Sequence, residues 1–206
     1  KTDTSILQFE QGYSSFKNEN LCGRYINNQH IFPELDKLAD SFIKLNEGFS
    51  VKGKKIMSVQ IGTGSIKILG WSQMHGNETT TTKALFDIFN YLQGENPVVN
   101  QLLKRCTIKM IPILNPDGAS LYTRENSNKV DLNRDAFNLL EPESIVLRRV
   151  FDDFKPDFCL NLHDQRTIYN VGNSKKPATL SFLAPSMDVE RSVNDTRKTA
   201  MQIISG

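Results

Sequence analysis

Short apolar strands alternate with amphipathic helices along most of this chain. IKILGW (66–71) and FCLNLH (158–163) are predicted to be buried strands, and TIKMIPILN (107–115) is a further β-rich run. Residues 79–93 and 142–154 place apolar side chains on one face at helical spacing. Helices that connect such strands cover both faces of a sheet. The pattern therefore predicts an α/β fold, a three-layer α/β/α sandwich with a mixed, mostly parallel sheet.

The two ends of the chain add further elements. Apolar residues at helical spacing predict a helix over residues 31–45, and alternation on both sides of residues 52–53 predicts a β-hairpin after it. Toward the other end, a strand is predicted over residues 180–184 and an amphipathic helix over residues 189–204.

Length and composition indicate one globular domain. The chain has 206 residues, of which 38% are apolar and 23% are charged, so one sizeable core can be buried. No repeat, low-complexity tract or composition shift marks a linker. We expect a single domain over residues 1–206, made of a helical N-terminal region (1–47) and a functional core (48–206).

Charge and hydropathy limit the classes of partner. The net charge is +2, from 25 basic and 23 acidic residues without a basic run, so no nucleic-acid partner is expected. No apolar run is long enough for a membrane span, and the N-terminus lacks the pattern of a signal peptide. A peptide or small-molecule ligand is favoured.

The cysteines bear on the cellular compartment. Cys22, Cys106 and Cys159 are odd in number, far apart and set among apolar residues, which predicts buried free thiols rather than disulfides. We therefore expect a cytoplasmic protein. A signal peptide removed before Lys1 would leave the same N-terminus.

Two of the three histidines stand at the C-terminal ends of predicted strands. His75 lies three residues before Glu78, just after IKILGW, and His163 ends FCLNLH. Ligands of open α/β sheets bind at this edge. Two histidines and a glutamate there would form a zinc site that leaves one position for water, as catalytic zinc does. The structural alternatives are a capping glutamate beside a surface histidine, and a strand-end histidine without a metal. His30, in a polar loop, is interpreted as a surface residue.

Polar and charged residues gather between these histidines. VDLNRD (130–135) places Asp131, Asn133 and Arg134 in a predicted loop, where arginine and asparagine can bind a carboxylate through charge-assisted hydrogen bonds. Solvated loop charges are the alternative for each residue taken alone. NPDG (115–118) is predicted to be an ordinary turn.

The ordered set of motifs resembles a known enzyme family. HGNE, NPDG, the Arg-Glu-Asn-x-Asn stretch from Arg124, VDLNR and a strand-end NLH follow one another as in zinc carboxypeptidases of the carboxypeptidase A/B and N/E families. The combination of HGNE, NPDG and VDLNR is closer to the N/E type. The resemblance covers roughly residues 50–200.

The resemblance implies a metal and a reaction. One zinc ion would be bound by His75, Glu78 and His163, with Asp131 hydrogen-bonded to the ring of His75. The core over residues 48–206 would then be a zinc-binding core. The implied activity is removal of C-terminal amino acids from peptides by a zinc-activated water.

The resemblance also implies substrate contacts. Arg124 would polarise the scissile carbonyl and stabilise the developing oxyanion. Asn133 and Arg134 would bind the terminal carboxylate of the substrate.

Three features depart from the family pattern. Asp164 follows His163 where the family usually has a small residue, and the stretch from Arg124 to Asp131 is short. The family's general-base glutamate, mobile tyrosine and specificity residue are expected beyond Gly206. We therefore expect the N-terminal part of a catalytic domain, which by itself hydrolyses peptides poorly.

Two alternatives to a carboxypeptidase are carried forward. One is a zinc-dependent deacylase of the aspartoacylase and succinylglutamate desuccinylase type, which shares HGNE and acts on acylated amino acids with a free carboxylate. The other is a non-catalytic zinc-binding module, which the unseen general base would permit.

Overall fold

The computed structural model describes residues 12–164, 170–176, 182–184, 186 and 188–205. The strands are β1 (Ile43–Phe49), β2 (Lys55–Ile61), β3 (Ile66–Trp71), β4 (Cys106–Ile111) and β5 (Phe158–Asn161). The helices are α1 (Asn28–Asp36), α2 (Thr80–Leu92), α3 (Pro97–Arg105), α4 (Pro116–Leu121), α5 (Leu132–Asp135), α6 (Pro142–Phe154) and α7 (Asp195–Ser205). The chain divides into two compact units, Lys1–Asp164 and Gln165–Gly206.

The first unit contains one five-stranded sheet in the order β1-β2-β4-β3-β5. β1 pairs with β2, and β2 with β4, in antiparallel fashion, whereas β3 is parallel to both β4 and β5. The predicted α/β fold with a mixed sheet is therefore confirmed. The predicted strand IKILGW is β3, and the helix predicted over 142–154 is α6.

The central position of β3 determines where the polar residues after the strands lie. Trp71, the last residue of β3, is paired with Ile111 of β4 and with Asn161 of β5. The amide of Leu162 still donates to the carbonyl of Trp71, at 3.0 Å. The segments after β3 and β5 therefore leave the sheet side by side at one edge.

Two apolar clusters give the unit its stability. One is formed by the sheet with α1, α2 and α3 and contains Phe86 and Phe89, while the other contains Leu69 of β3 with Val150 and Phe154 of α6. Burying a side chain such as Phe or Leu is worth about 1.5–3 kcal/mol relative to exposing it. The clusters hold the sheet between helices and fix the positions of the strand ends.

The N-terminal helix is shorter than the sequence predicts. A helix was expected over residues 31–45, but α1 ends at Asp36, and Ile43 already pairs with Gln60 in the sheet. Leu38 and Phe42 remain in the core because local turns, rather than a helix, direct them inward. Strand pairing therefore overrides the helical spacing after Asp36.

Besides the short α5, which lies in the predicted loop 130–135, two helices were not predicted. α3 begins after Asn96, whose side chain accepts a hydrogen bond from the amide of Val98 at 2.8 Å, with Pro97 in the first turn. NPDG, predicted to be a turn, is the start of α4, where the Asn115 side chain accepts from Gly118 at 2.8 Å. Both helices begin with the same asparagine-proline pair.

The later strands are also shorter than predicted. β4 ends at Ile111 rather than at residue 115, because Pro112 has no amide hydrogen to donate. β5 was expected to be buried, yet Phe158 is 43% exposed and Leu160 is 45% exposed. Among the described residues β5 pairs with β3 alone, so it forms an edge of the sheet.

The second unit contains α7, which begins at Asp195 rather than at residue 189 of the predicted helix 189–204 and ends at Ser205. Arg197 of α7 donates from Nε to the carbonyl of Ala184, at 3.1 Å. Residues 180 and 181 of the predicted strand 180–184 lie outside the described residues, and residues 182–184 are not in a strand.

Two further expectations concern burial and the membrane. Cys106 is buried as predicted, but Cys22 and Cys159 are exposed, so the expectation of buried thiols is wrong for these two; all three are free. Within the part of the chain that the structure describes, no helix is long and apolar enough to cross a bilayer.

Candidate metal centre

The loop over residues 72–79 turns His75 and Glu78 back over the end of β3. Gln73, which is buried and has a φ of 44°, donates its side-chain amide to the carbonyls of Ile26 (3.0 Å) and Gly76 (2.8 Å). Two hydrogen bonds from one buried amide fix the loop from inside.

Gly76 lets this loop pack against α4. A Cβ atom on Gly76 would lie 2.0 Å from the carbonyl carbon of Gly118. Since backbone cannot withdraw as a flexible side chain can, a glycine is required at position 76. The glycine of HGNE therefore permits the close contact between this loop and α4.

His75, Glu78 and His163 come together at the edge of the sheet. Nδ1 of His75 lies 2.9 Å from Oε1 of Glu78, and Nδ1 of His163 lies 2.7 Å from Oε2 of Glu78. One possible ligand atom from each residue lies within 4.8 Å of the other two. His75 is 2% exposed, Glu78 15% and His163 31%, so the group opens to solvent on the side of His163. Its two nitrogen donors and one oxygen donor suit a zinc ion.

Asp131 holds His75 from the side opposite to Glu78. Its Oδ1 lies 3.0 Å from Nε2 of His75. With a metal ion bound at Nδ1, Nε2 would carry the proton and donate it to Asp131. The carboxylate of Asp131 therefore holds the ring orientation of His75 and would fix the tautomer that leaves Nδ1 free for a metal ion.

Arg124 lies between Asp131 and the three candidate ligands. Its Nε and Nη2 donate to Oδ2 of Asp131 at 3.1 and 3.0 Å. Its Nη1 lies 3.1 Å from Nδ1 of His75 and 3.5 Å from Oε1 of Glu78. A bidentate contact with a carboxylate holds the guanidinium plane in place. One end of Arg124 is therefore anchored while the other faces the candidate metal centre.

The electrostatics keep two carboxyl groups of this centre ionised. Burial alone would raise the pKa of Glu78, but hydrogen bonds from His163 and His75 outweigh it and lower that pKa to about 2. Burial would likewise raise the pKa of Asp131, yet hydrogen bonds from His75, the Asn133 amide and Arg124 lower it. Both groups are therefore charged at neutral pH.

Asn126 organises the loop between α4 and α5, to which the sequence assigned no such role. Its buried side-chain amide donates to Glu141 at 2.6 Å and to Glu143 at 3.2 Å, and its Oδ1 accepts from the Asn128 amide at 3.0 Å. Burial raises the pKa of Glu143 more than these hydrogen bonds lower it. The polar Asn-x-Asn spacing was the only signal in the sequence for this buried network.

The predicted carboxylate-binding pair is only partly joined to the centre. The amide of Asn133 donates to Oδ1 of Asp131 at 2.9 Å, and the Asn133 side chain accepts from Asn161 at 3.4 Å. Arg134 is exposed, and its guanidinium has no ion pair or hydrogen bond within the described segments. The structure thus brings Asn133 beside the centre and leaves Arg134 at the surface.

An apolar cavity of about 200 Å³ opens next to Asn133. It was not predicted, because its walls come from separate segments of the chain. The lining residues are Trp71, Met74, Leu132, Asn133, Ala136, Leu139, Ser144, Leu147, Arg148, Phe151 and Asn161.

A comparison with protein families identifies the chain. The family described as zinc carboxypeptidase matches residues 34–155, which is more than half of the 206 residues. The chain belongs to the zinc carboxypeptidase family. All the predicted site residues of this zinc carboxypeptidase lie inside the matched range, apart from His163.

Curated relatives are also named carboxypeptidases. Human carboxypeptidase D is 27% identical over 177 residues, which cover 68% of this chain and 13% of the relative. Carboxypeptidase 2 of Trichophyton rubrum is 26% identical over 102 residues, which cover 48% of this chain and 19% of the relative. The zinc carboxypeptidase chain therefore spans a minor part of the length of these relatives.

Solved structures share the fold. A metallo-carboxypeptidase from Burkholderia cenocepacia superposes with a TM-score of 0.63 at 19% identity, over 68% of this chain and 41% of that one. Carboxypeptidase A from Helicoverpa armigera gives a TM-score of 0.57 at 18% identity, over 79% of this chain and 53% of that one. The predicted zinc carboxypeptidase-like fold is thus confirmed.

Proposed function

We propose that this chain is the metal-binding part of a zinc-dependent carboxypeptidase, in which His75, Glu78 and His163 bind one zinc ion. The complete enzyme would remove amino acids from the C-termini of peptides. The relatives named above are carboxypeptidases, which supports this substrate class.

One observation carries the proposal. The possible ligand atoms of His75, Glu78 and His163 lie within 4.8 Å of one another, and the carboxylate of Asp131 is hydrogen-bonded to the ring of His75. Two imidazoles and a carboxylate match zinc, whereas magnesium and calcium prefer sites made of oxygen alone. A capping glutamate or an isolated surface histidine would not need a third ligand and a supporting carboxylate.

The chemistry divides between the metal and the chain. When bound, zinc supplies a Lewis acid that polarises a carbonyl and makes water more acidic. Asp131 fixes the orientation of His75 and anchors Arg124, whose Nη1 faces the candidate ligands. A guanidinium in that position would donate to the negative charge that develops on the substrate carbonyl oxygen, a contribution worth roughly 2.7–4 kcal/mol per donor in other hydrolases.

Zinc analysis of the purified chain tests the ligand assignment. We expect about one zinc per chain, and we expect His75→Ala and His163→Ala each to abolish tight binding, because each removes one of three protein ligands. Elemental analysis and competition with a chromogenic chelator measure both quantities.

His30→Ala is the matched control. His30 is exposed in the first turn of α1, where Nδ1 accepts from the Asn27 amide at 3.2 Å, and its loss should leave zinc binding unchanged. Equal zinc content in His163→Ala and in the parent chain would contradict the proposed centre.

A further inference from the structure

The side chain of Asp164 extends away from the candidate ligands, toward the start of α2. Both of its carboxylate oxygens lie 3.1 Å from the amide of Thr80, and Oδ1 lies 3.4 Å from the amide of Thr81. Thr79, the residue before α2, makes no side-chain capping bond of its own. Asp164 therefore supplies the cap of α2 from a distant part of the chain.

The capping contact suits the chemistry of a helix start. The first amides of a helix have no acceptor within the helix, and a negative charge there is favoured by the helix dipole. A carboxylate that accepts from two such amides is held in position more firmly than a single hydrogen bond would hold it.

The backbone of Asp164 makes a second link to the same region. Its amide donates to Oε2 of Glu78 at 3.3 Å, and that oxygen also faces Nδ1 of His163 at 2.7 Å. Glu78 and His163 are 85 residues apart in the sequence. Asp164 thus connects the segment after β5 to the loop before α2 by its side chain and by its main chain.

We propose that Asp164 is a positioning residue of the metal centre: by capping α2, it holds the neighbouring His163 at the distance from Glu78 that a shared metal ion requires. The inference rests on the proposed zinc centre. Asp164 is not a ligand in this arrangement, because its carboxylate is directed to the amides of Thr80 and Thr81.

Zinc affinity of Asp164 variants tests the inference. Asp164→Ala removes the cap and should weaken zinc binding by about 10- to 100-fold, the usual effect of losing a residue that orients a ligand. Asp164→Asn keeps an acceptor oxygen for the Thr80 amide and should recover most of the affinity. Chelator competition gives the affinities, and the visible spectrum of the cobalt-substituted chain reports the ligand geometry, which should change in Asp164→Ala.

Asp157→Ala is the matched control for the loss of one such hydrogen bond. Asp157 also accepts from a backbone amide, that of Lys67 at 2.8 Å, but it lies just before β5, at the opposite end of the strand from His163. This variant should bind zinc as the parent chain does. Circular dichroism of each variant shows whether it is folded.

A measurement on the parent chain keeps the inference testable should Asp164→Ala not fold. Coupling between two sites is reciprocal, so zinc that fixes His163 should also strengthen the cap. Hydrogen exchange at the amides of Thr80 and Thr81 should slow on addition of zinc by a larger factor than exchange at the amide of Lys67.

The outcomes separate this inference from the function on which it rests. Equal zinc affinity in Asp164→Ala and the parent, an equal loss in Asp157→Ala, or no recovery in Asp164→Asn would each overturn the positioning role. Unchanged exchange at Thr80 on zinc binding would do the same. A parent chain that binds no zinc would instead overturn the proposed metal centre.

Discussion

Glu78 is the residue through which the two histidines of the centre meet. Its Oε1 faces His75 and its Oε2 faces His163, so the geometry of the centre depends on one carboxylate plane. Since that carboxylate is ionised at neutral pH and in contact with both rings, it is ready to accept a cation without a proton being displaced from it.

Arg134 is the residue predicted to bind the free C-terminal carboxylate of a peptide substrate. In the complete enzyme, Arg134→Ala should leave zinc content unchanged but raise the barrier for peptides with a free C-terminus by about 2–5 kcal/mol, because the substrate carboxylate loses its charged partner. The parent should prefer such peptides to their amidated twins, and the variant should not. Values of kcat/KM on matched peptide pairs measure this.

Arg105→Ala controls for the loss of an exposed positive charge. Arg105 is also exposed but ends α3, next to the start of β4, at the opposite end of the strands from the proposed metal centre. It should keep the preference for free carboxylates. A parent enzyme that cleaves free and amidated peptides equally would contradict the exopeptidase assignment.

The sequence could indicate some site residues and not others. His75 and His163 stood out because a histidine just after a strand of a parallel sheet lies at the ligand-binding edge. Asp164 and Asn126 could not be recognised in this way, because their partners are backbone amides and buried carboxylates that only the folded chain brings near. The side chains of such residues act through contacts that leave no periodic pattern.

At the scale of elements, the connection between α5 and α6 is organised by one buried carboxylate. Asp135 accepts from the amides of Leu140 at 3.0 Å and Glu141 at 2.9 Å. Burial alone would raise the pKa of Asp135, but these two amides lower it below the ordinary value of 3.8. The connection in turn sets the start of α6 against the sheet.

Asp135→Asn should reduce stability in a pH-dependent manner. Because the pKa of Asp135 is lower in the folded state, its stabilisation is fully present above pH 3.8 and is lost as the pH falls through the folded-state pKa. We expect the free energy of unfolding of the variant to be about 1–3 kcal/mol lower than that of the parent at neutral pH. This difference should narrow below pH 3.8. Urea unfolding between about pH 7 and pH 3 measures it. A difference in free energy of unfolding that stays constant over this range would show that the ionised form of Asp135 does not stabilise the fold.

Elements with a single dominant signal were predicted well, and those with competing signals were not. IKILGW and residues 142–154 match β3 and α6, because apolar content or helical spacing acted alone there. The helix expected over 31–45 is wrong after Asp36, since strand pairing of Ile43 with Gln60 competes with helical spacing. Local pattern does not include hydrogen bonds to a partner strand, so it overextends such helices.

At the scale of the whole molecule, bound zinc should stabilise the folded first unit. The proposed ligands come from the segments after β3 and β5, so bound metal would tie the edge strand to the centre of the sheet. Ligand that binds only the folded chain stabilises it by about 2.7 kcal/mol at a free concentration of roughly 100 times Kd. We therefore expect zinc to raise the melting temperature, as measured by circular dichroism.

Two controls accompany this measurement. Magnesium at the same concentration should give no shift, because it favours oxygen ligands. The zinc-dependent shift should also vanish in His75→Ala. A shift of equal size in His75→Ala would mean that zinc stabilises the unit from somewhere other than the proposed centre.

The sheet order also predicts an order of events during folding. His75 and Glu78 lie in one short loop after β3, whereas His163 follows β5. β3 and β5 are neighbours in space, although β4 and the five helices α2 to α6 separate them along the chain. Pairing two strands that are distant in the sequence requires closure of a long loop, which costs conformational entropy before the contacts between the strands form. Such pairings therefore form late in folding. During synthesis the half of the centre that holds His75 and Glu78 leaves the ribosome well before His163. Pairing of β5 with β3 would then be the step that completes the proposed centre, and metal binding would report that this pairing has formed.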